Sequence, residues 1–141
     1  MKILFVCVHN AGRSQMAEAF ARAIAKDRGI SLEVESAGTL GGGSINPVVA
    51  EAMREVDVPL EGHFPKALTQ EMANSADEII SMGCGVDADA CPAKFLVTED
   101  WGLDDPAGLP IERVRPIRDQ IRMKVEEMLE KIAESHGGAG T

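Results

Sequence analysis

The feature that most restricts how this 141-residue chain can fold is a change of hydrophobic period within its first fifteen residues. Residues 2–6 read Lys-Ile-Leu-Phe-Val, an apolar run with no polar alternation, as expected of a strand buried on both faces of a parallel sheet. A polar, glycine-containing stretch follows. After Ser14 the spacing becomes helical: Met16, Phe20 and Ile24 lie four apart with Ala17, Ala21 and Ala25 beside them, and Gly29 ends the pattern. A strand, a tight loop and an amphipathic helix therefore open the chain.

The remainder repeats the alternation. Residues 32–35 predict a second strand, and the glycine-rich stretch 36–44 predicts a surface loop near the site. Asn46 and Pro47 predict a helix start, with a side-chain cap followed by proline at the first helical position. Val48, Val49, Ala52, Met53 and Val56 supply that helix's apolar stripe, and residues 57–59 stop it. Residues 77–82 and 94–97 predict third and fourth strands. A last helix is expected from around Pro116, with Ile117, Ile121, Val125, Met128 and Ile132 on one face. The expectation is an α/β fold: a single domain over residues 1–134, built as a four-stranded parallel sheet with helices on both faces. Residues 135–141 have nothing to bury and are expected to fray. There is no internal repeat and no sign of a second domain.

Charge narrows the partners. Fourteen Lys and Arg against 23 Asp and Glu leave a net charge of −9, which argues against nucleic acid and against an anionic membrane surface. Any anionic ligand must then be held by a local site. No apolar run of about 18 residues predicts a membrane span, the N-terminus turns polar too early for a signal peptide, and a cytoplasmic location is expected. The three cysteines, Cys7, Cys84 and Cys91, are an odd number, which suits reactive thiols in a reducing compartment better than a disulfide framework. No His and Cys set has zinc spacing, so no metal is expected.

Cys7 falls where the first strand ends and the first helix is about to begin, the crevice in which parallel α/β sheets bind ligands. Six residues on comes Arg13. A loop of Cys7, Val8, His9, Asn10, Ala11, Gly12, Arg13 and Ser14 can curl its N–H groups around a tetrahedral oxyanion, with the helix N-terminus adding partial positive charge. Arg13 would grip two oxygens with its planar fork. The same field favours a thiolate, so Cys7 is expected to be a nucleophile, with Ser14 hydrogen-bonded to it. Asn10 tolerates left-handed backbone, and Gly12 permits close approach to the anion. A buried structural cysteine beside a surface arginine is the plainer account, and the strand-to-helix position with Asn10, Gly12 and Ser14 argues against it. Asp105, before Pro106, is either a general acid for the leaving oxygen or part of an Asp-Pro turn. Trp101 reads as core or as a wall of the cleft.

The run from Cys7 to Ser14, followed by Gln15, Met16, Ala17 and Glu18, resembles the phosphate-binding loop and first helix of the low-molecular-weight protein tyrosine phosphatases and their relatives, the thioredoxin-coupled arsenate reductases. The similarity covers nearly the whole chain. Glu35-Ser-Ala-Gly38, Asn46-Pro47, Glu51-Ala-Met53, Glu55-Val56 and Trp101-Gly-Leu-Asp-Asp-Pro-Ala-Gly108 look like the reductase branch. That branch carries two further cysteines seven apart, as Cys84 and Cys91 are here. The resemblance implies a low-molecular-weight phosphatase-like fold and an arsenate reductase without a cofactor. Cys7 would attack arsenate, Asp105 would protonate the leaving group, and Cys84 then Cys91 would relay the oxidation as a disulfide to thioredoxin. Phosphate and sulfate would compete for the loop.

Three alternatives remain at this stage: a phosphatase acting on phosphate monoesters, a transferase joining arsenate to a small thiol, and an oxyanion-binding module without turnover. The absence of tyrosine argues against the phosphatase, whose branch stacks aryl phosphates on tyrosines after its Asp-Pro. By themselves, Cys84 and Cys91 read equally as two loop thiols. The family loop often has a second cysteine where Gly12 stands here. Some reductases also hold potassium beside the loop through residues matching Asn10, Glu18 and Ser36, plus an acidic residue within the stretch that reads residues 62–66. Lys66 occupies that stretch, and its ammonium is expected to take the cation's place.

Overall fold

Ile3, Leu4, Phe5 and Val6 are all fully buried, and such a run can only lie inside a sheet covered on both sides. The computed structural model describes residues 1–7, 10, 12–38, 43–60, 63–82, 99–101, 103, 106 and 108–134. In chain order its elements are β1 (Lys2–Cys7), α1 (Arg13–Asp27), β2 (Glu33–Gly38), α2 (Pro47–Arg54), α3 (Gln70–Ser75), β3 (Glu78–Ser81), β4 (Glu99–Asp100) and α4 (Ile111–Ile132). The strands lie in the order β2-β1-β3-β4, every neighbouring pair parallel, with β1 inside and a two-residue β4 at one edge.

Because successive side chains of a strand point to opposite faces, β1 splits the core in two. Ile3, Phe5 and Cys7 face α1, α2 and α4 and join a cluster with Met16, Phe20, Met53, Val114 and Ile121. Leu4 and Val6 face the other way, onto Leu68, Ala73 and Ile79. Helices thus cover both faces.

Several boundaries differ from the sequence expectation. Ser36, Ala37 and Gly38 belong to β2, not to a loop, and pair with Phe5, Val6 and Cys7 of β1. Their small polar character suggests a loop, but the ladder to β1 supplies their backbone partners. The last helix begins at Ile111, before Pro116, because Val114 is already buried and extends the apolar face by a turn. Pro116 lies inside it, at the expense of one helical hydrogen bond. Helix α2 stops at Arg54, and Asp57 follows with φ 59°. Its cap is the expected one: Asn46 Oδ1 accepts from the N–H groups of Val48 at 2.9 Å and Val49 at 3.4 Å. The six-residue α3 was not foreseen; Thr69 caps it by accepting from Met72 N–H at 3.1 Å. The expected fourth strand, 94–97, and the tail, 135–141, lie outside the described residues.

Helices α2 and α4 are clamped by charge. Arg115 donates to both carboxylate oxygens of Glu55, through Nε at 3.0 Å and Nη2 at 2.7 Å. Arg118 Nη1 adds bonds to Glu55 Oε1 at 2.8 Å and to the Ala52 carbonyl at 2.9 Å. The Arg115 hydrogen bond, followed by that of Arg118, holds the Glu55 carboxyl down to about 2. A group lowered in the folded state stabilises the fold above its ordinary value, here 4.5, and loses that contribution as pH falls through about 2. Glu55→Gln is therefore expected to lower the melting temperature at pH 7, with the gap to the parent narrowing from pH 5 downward and closing near pH 2. Thermal melts across that range check it.

Candidate active site

Cys7 is the last residue of β1 and pairs with Gly38, the last residue of β2. Beyond the ladder, Met82 N–H donates to Val6 O at 3.0 Å, Trp101 N–H to Ser81 O at 2.9 Å, and Leu103 N–H to Met82 O at 2.9 Å. The carboxyl ends of β1, β3 and β4 thus converge on one edge, the crevice that parallel sheets offer to ligands. Trp101 is buried, its ring 5.5 Å from Phe5, which makes it core.

Between Cys7 and α1 the chain turns sharply. Asn10 has φ 56°, in the left-handed region that asparagine tolerates better than most residues. That turn aims the Asn10 N–H at Cys7 Sγ, 3.2 Å away, and Ser14 Oγ stands 2.8 Å from the same sulfur. Asn10 Nδ2 donates to Ser14 Oγ at 2.7 Å. A sulfur held by these two contacts at the end of a strand is positioned to act as a nucleophile.

Helix α1 begins without a side-chain cap at Gly12. Its first-turn N–H groups therefore lack the usual internal partner, and an anion can supply one. Gly12 is needed for space as well as for approach: a Cβ there would lie 3.0 Å from Pro106 Cγ and 3.5 Å from Val49 Cγ2. A cysteine side chain, frequent at this position in the resembled loops, would crowd Pro106. Arg13 is buried, and its Nη1 donates to Leu103 O at 2.8 Å and to Met82 O at 3.4 Å. These carbonyls fix the guanidinium against the strand ends beside Cys7.

Behind the loop lies a polar layer. Ser36 Oγ donates to Glu18 Oε1 at 2.5 Å. The buried Glu18 carboxylate also meets Arg22 at 3.1 Å, Lys66 Nζ at 3.7 Å and His63 Nδ1 at 3.9 Å. The segment carrying His63 and Lys66 is held to β2 by two backbone bonds, Gly38 N–H to Lys66 O at 2.8 Å and Leu68 N–H to Gly38 O at 2.9 Å. Lys66 N–H in turn donates to Asn10 Oδ1 at 2.8 Å. Sequence reasoning gave no role to His63, or to Gln15 beyond its place in the motif. A glutamine directly after the loop, beside the apolar Met16 and Ala17, is the signal the sequence offers, and the structure buries it fully.

The structure thus brings together Cys7, Asn10, Gly12, Arg13, Ser14, Glu18, Ser36 and Lys66. Val8, His9, Ala11, Cys84, Cys91 and Asp105 lie outside the described residues. Among the described residues, no three His, Cys, Asp or Glu side chains are grouped to hold a metal, and no helix is long and apolar enough to cross a membrane.

A parallel α/β sheet with a cysteine at a strand end, a tight loop and an uncapped helix beyond defines a class of proteins built to hold an oxyanion against a thiol. Residues 2–137 match the low molecular weight phosphotyrosine protein phosphatase family, and the chain belongs to it. A putative arsenate reductase of Halobacterium salinarum is 36% identical over 134 residues, 93% of this chain and 92% of that protein. Among solved structures, an arsenate reductase in the phosphate binding state is 34% identical with TM-score 0.77, covering 93% of this chain and 98% of its own. The thioredoxin-dependent arsenate reductase of Corynebacterium glutamicum is 36% identical with TM-score 0.73, covering 96% of this chain and 63% of its own.

Arg13→Lys keeps the charge but loses the planar fork and the anchor to Leu103 O. It is expected to weaken phosphate binding about tenfold or more, as planar bidentate grips outdo a point charge; titration calorimetry checks it.

Proposed function

We propose that the chain is a thioredoxin-coupled arsenate reductase. The observation that carries this reading is a Cys7 nucleophile site in a chain that also holds two cysteines seven apart, Cys84 and Cys91, and is 36% identical to a putative arsenate reductase. A solved structure 34% identical to this chain is an arsenate reductase in the phosphate binding state, which supports a tetrahedral oxyanion as the ligand.

Cys7 Sγ attacks the arsenic of an arsenate held by the loop N–H groups from Val8 to Ser14 and by Arg13, while Asp105 protonates the oxygen that leaves as water. Cys84 then attacks the Cys7 sulfur. The sulfur–arsenic bond breaks with its electron pair going to arsenic, arsenite departs, and a Cys7–Cys84 disulfide remains. Attack of Cys91 on Cys84 returns Cys7 as a thiol and leaves a Cys84–Cys91 disulfide, which the thioredoxin dithiol reduces. Residues 1–134 act as one catalytic domain in the cytoplasm, where thiols persist, and the negative net charge of −9 keeps nucleic acid and membrane out of the partner set. The family's phosphatases make hydrolysis of phosphate monoesters the second reading, because the first attack is the same. A small-thiol transferase would need Cys7 alone.

Potassium fits this chain poorly. Asn10 Oδ1 already accepts two N–H groups, and Lys66 Nζ faces the Glu18 oxygen bonded to Ser36. Turnover and melting temperature are expected to be the same in potassium and sodium chloride; a specific rise with potassium would refute the role of Lys66.

The deciding experiment is arsenate-dependent NADPH oxidation with thioredoxin and its reductase, run beside p-nitrophenyl phosphate hydrolysis. Cys7→Ser is expected to abolish both activities, Cys84→Ser to stop NADPH consumption, and Cys91→Ser to allow one turnover without recycling. Phosphate release untouched in Cys84→Ser, with no NADPH loss in the parent, would make the chain a phosphatase.

A further inference from the structure

Two consecutive residues at the start of α1 hold the chain on either side of Asp104 and Asp105. Arg13 Nη1 donates to Leu103 O at 2.8 Å, and Leu103 N–H donates to Met82 O at 2.9 Å, so Leu103 is fixed through both of its backbone groups. Pro106 is fixed by contact. It is buried, and its ring lies over the bare α-carbon of Gly12, so close that a Cβ there would stand 3.0 Å from Pro106 Cγ and 3.9 Å from Cδ. Carbon atoms at rest keep further apart than 3.0 Å, so this seat exists only because residue 12 has no side chain. Towards Val49 Cγ2 the same Cβ would be at 3.5 Å, an ordinary contact, and the crowding would fall on Pro106.

Beyond the ring the chain is held as well. Leu109 N–H donates to Pro106 O at 3.1 Å across a turn in which Gly108 takes φ 75°, a left-handed value that glycine supplies without strain. Pro110 follows, and its carbonyl opens α4 by accepting from Arg113 at 2.9 Å and Val114 at 3.2 Å. On the other side of the contact, the Gly12 carbonyl accepts from Met16 N–H at 2.9 Å, which fixes Gly12 to α1. Asp104 and Asp105 are therefore the two residues between fixed points at Leu103 and Pro106, and three peptide steps reach at most about 11 Å. A proline also restricts the backbone of the residue before it.

We infer that Pro106, seated on Gly12, is a positioning residue for Asp105. The turn of α1 that carries the anion's arginine then also sets where the acid's stretch of chain starts and ends. Pro106 has no group that could donate to the anion, so it acts only through its neighbour. The inference deepens the proposed reaction and rests on Asp105 being its general acid. It holds for arsenate and for a phosphate ester alike, because both need a proton on the departing oxygen.

The test is the rate of arsenite formation in a single turnover of the fully reduced chain, with phosphate affinity measured beside it by calorimetry. Pro106→Ala removes the ring and is expected to slow arsenite formation about tenfold, as a misplaced catalytic group does, while the phosphate Kd stays within about twofold of the parent. A proline that only shaped the anion loop would weaken phosphate binding in step with the rate. In an Asp105→Asn background, Pro106→Ala is expected to cost nothing further. Gly12→Ala should slow the reaction severalfold. Gly12→Ala combined with Pro106→Ala should be faster than the product of the two losses, because the new methyl enters space the ring has left. A loss arising from the backbone of residue 12 itself would persist in that double variant. Should Gly12→Ala fail to fold, Pro106→Ala with and without Asp105→Asn decides. The parent rate in Pro106→Ala, phosphate binding weakened in step with the rate, an undiminished Pro106→Ala loss beside Asp105→Asn, or purely multiplicative losses at 12 and 106 would each overturn the inference. A parent that forms no arsenite but hydrolyses phenyl phosphate refutes the reductase reading alone, and the same comparisons then decide on that ester. A harmless Asp105→Asn removes the acid from the reading and overturns this inference with it.

Discussion

The site depends on one side chain amide. Asn10 is fully buried in a left-handed turn, its oxygen taken by Lys66 N–H and Gln15, its nitrogen given to Ser14, and its own N–H given to Cys7. Buried polar groups left unpaired are expensive, and here the amide oxygen, the amide nitrogen and the backbone N–H of Asn10 each have a partner. The loop conformation, the aim of Ser14 and the docking of residues 63–66 are consequently one arrangement rather than three. None of them can change without orphaning a group in a region that water does not reach.

The sheet makes that arrangement possible. β1 lies inside it, so Cys7 emerges between β2 and β3, with Gly38 on one side and Met82 on the other. Arg13 turns back from α1 onto the carbonyls of Met82 and Leu103, which ties the first turn of the helix to the strand ends. An arginine so fixed keeps its planar face oriented before any anion arrives, and preorganised charge of this kind is where enzymes gain most of their electrostatic stabilisation. The clamp of Glu55 by Arg115 and Arg118 works at a distance from the site, holding α2 on α4 and so keeping Val49 behind Gly12. Catalytic geometry and scaffold charge are therefore linked through packing.

The sequence made the opening strand, the loop and α1 readable because each shows its own period, and the caps at Asn46 and Gly29 mark their turns by side chain or glycine. It was less informative where an element depends on its neighbours. The strand residues Ser36, Ala37 and Gly38 carry no β signal of their own; pairing with Phe5, Val6 and Cys7 makes them strand. Pro116 suggested a helix start and instead lies within α4, because burial of Val114 outweighs the one bond that proline removes. Helix α3, six residues long, is too short for its period to stand out.

What the sequence determined by itself is the chemistry available: a cysteine and an arginine bracketing a strand-to-helix loop, two more thiols, and an acidic surface that leaves anion binding to that loop. The residues resembling a known phosphate loop could be named from their order because the loop is local, its groups separated by no more than seven positions. Tertiary structure decided what stands behind it. His63, Lys66, Met82 and Leu103 reach the loop and its first helical turn only because parallel pairing lays distant segments side by side. Their hydrogen bonds span up to 90 positions of sequence, and no local pattern encodes a partner that far away.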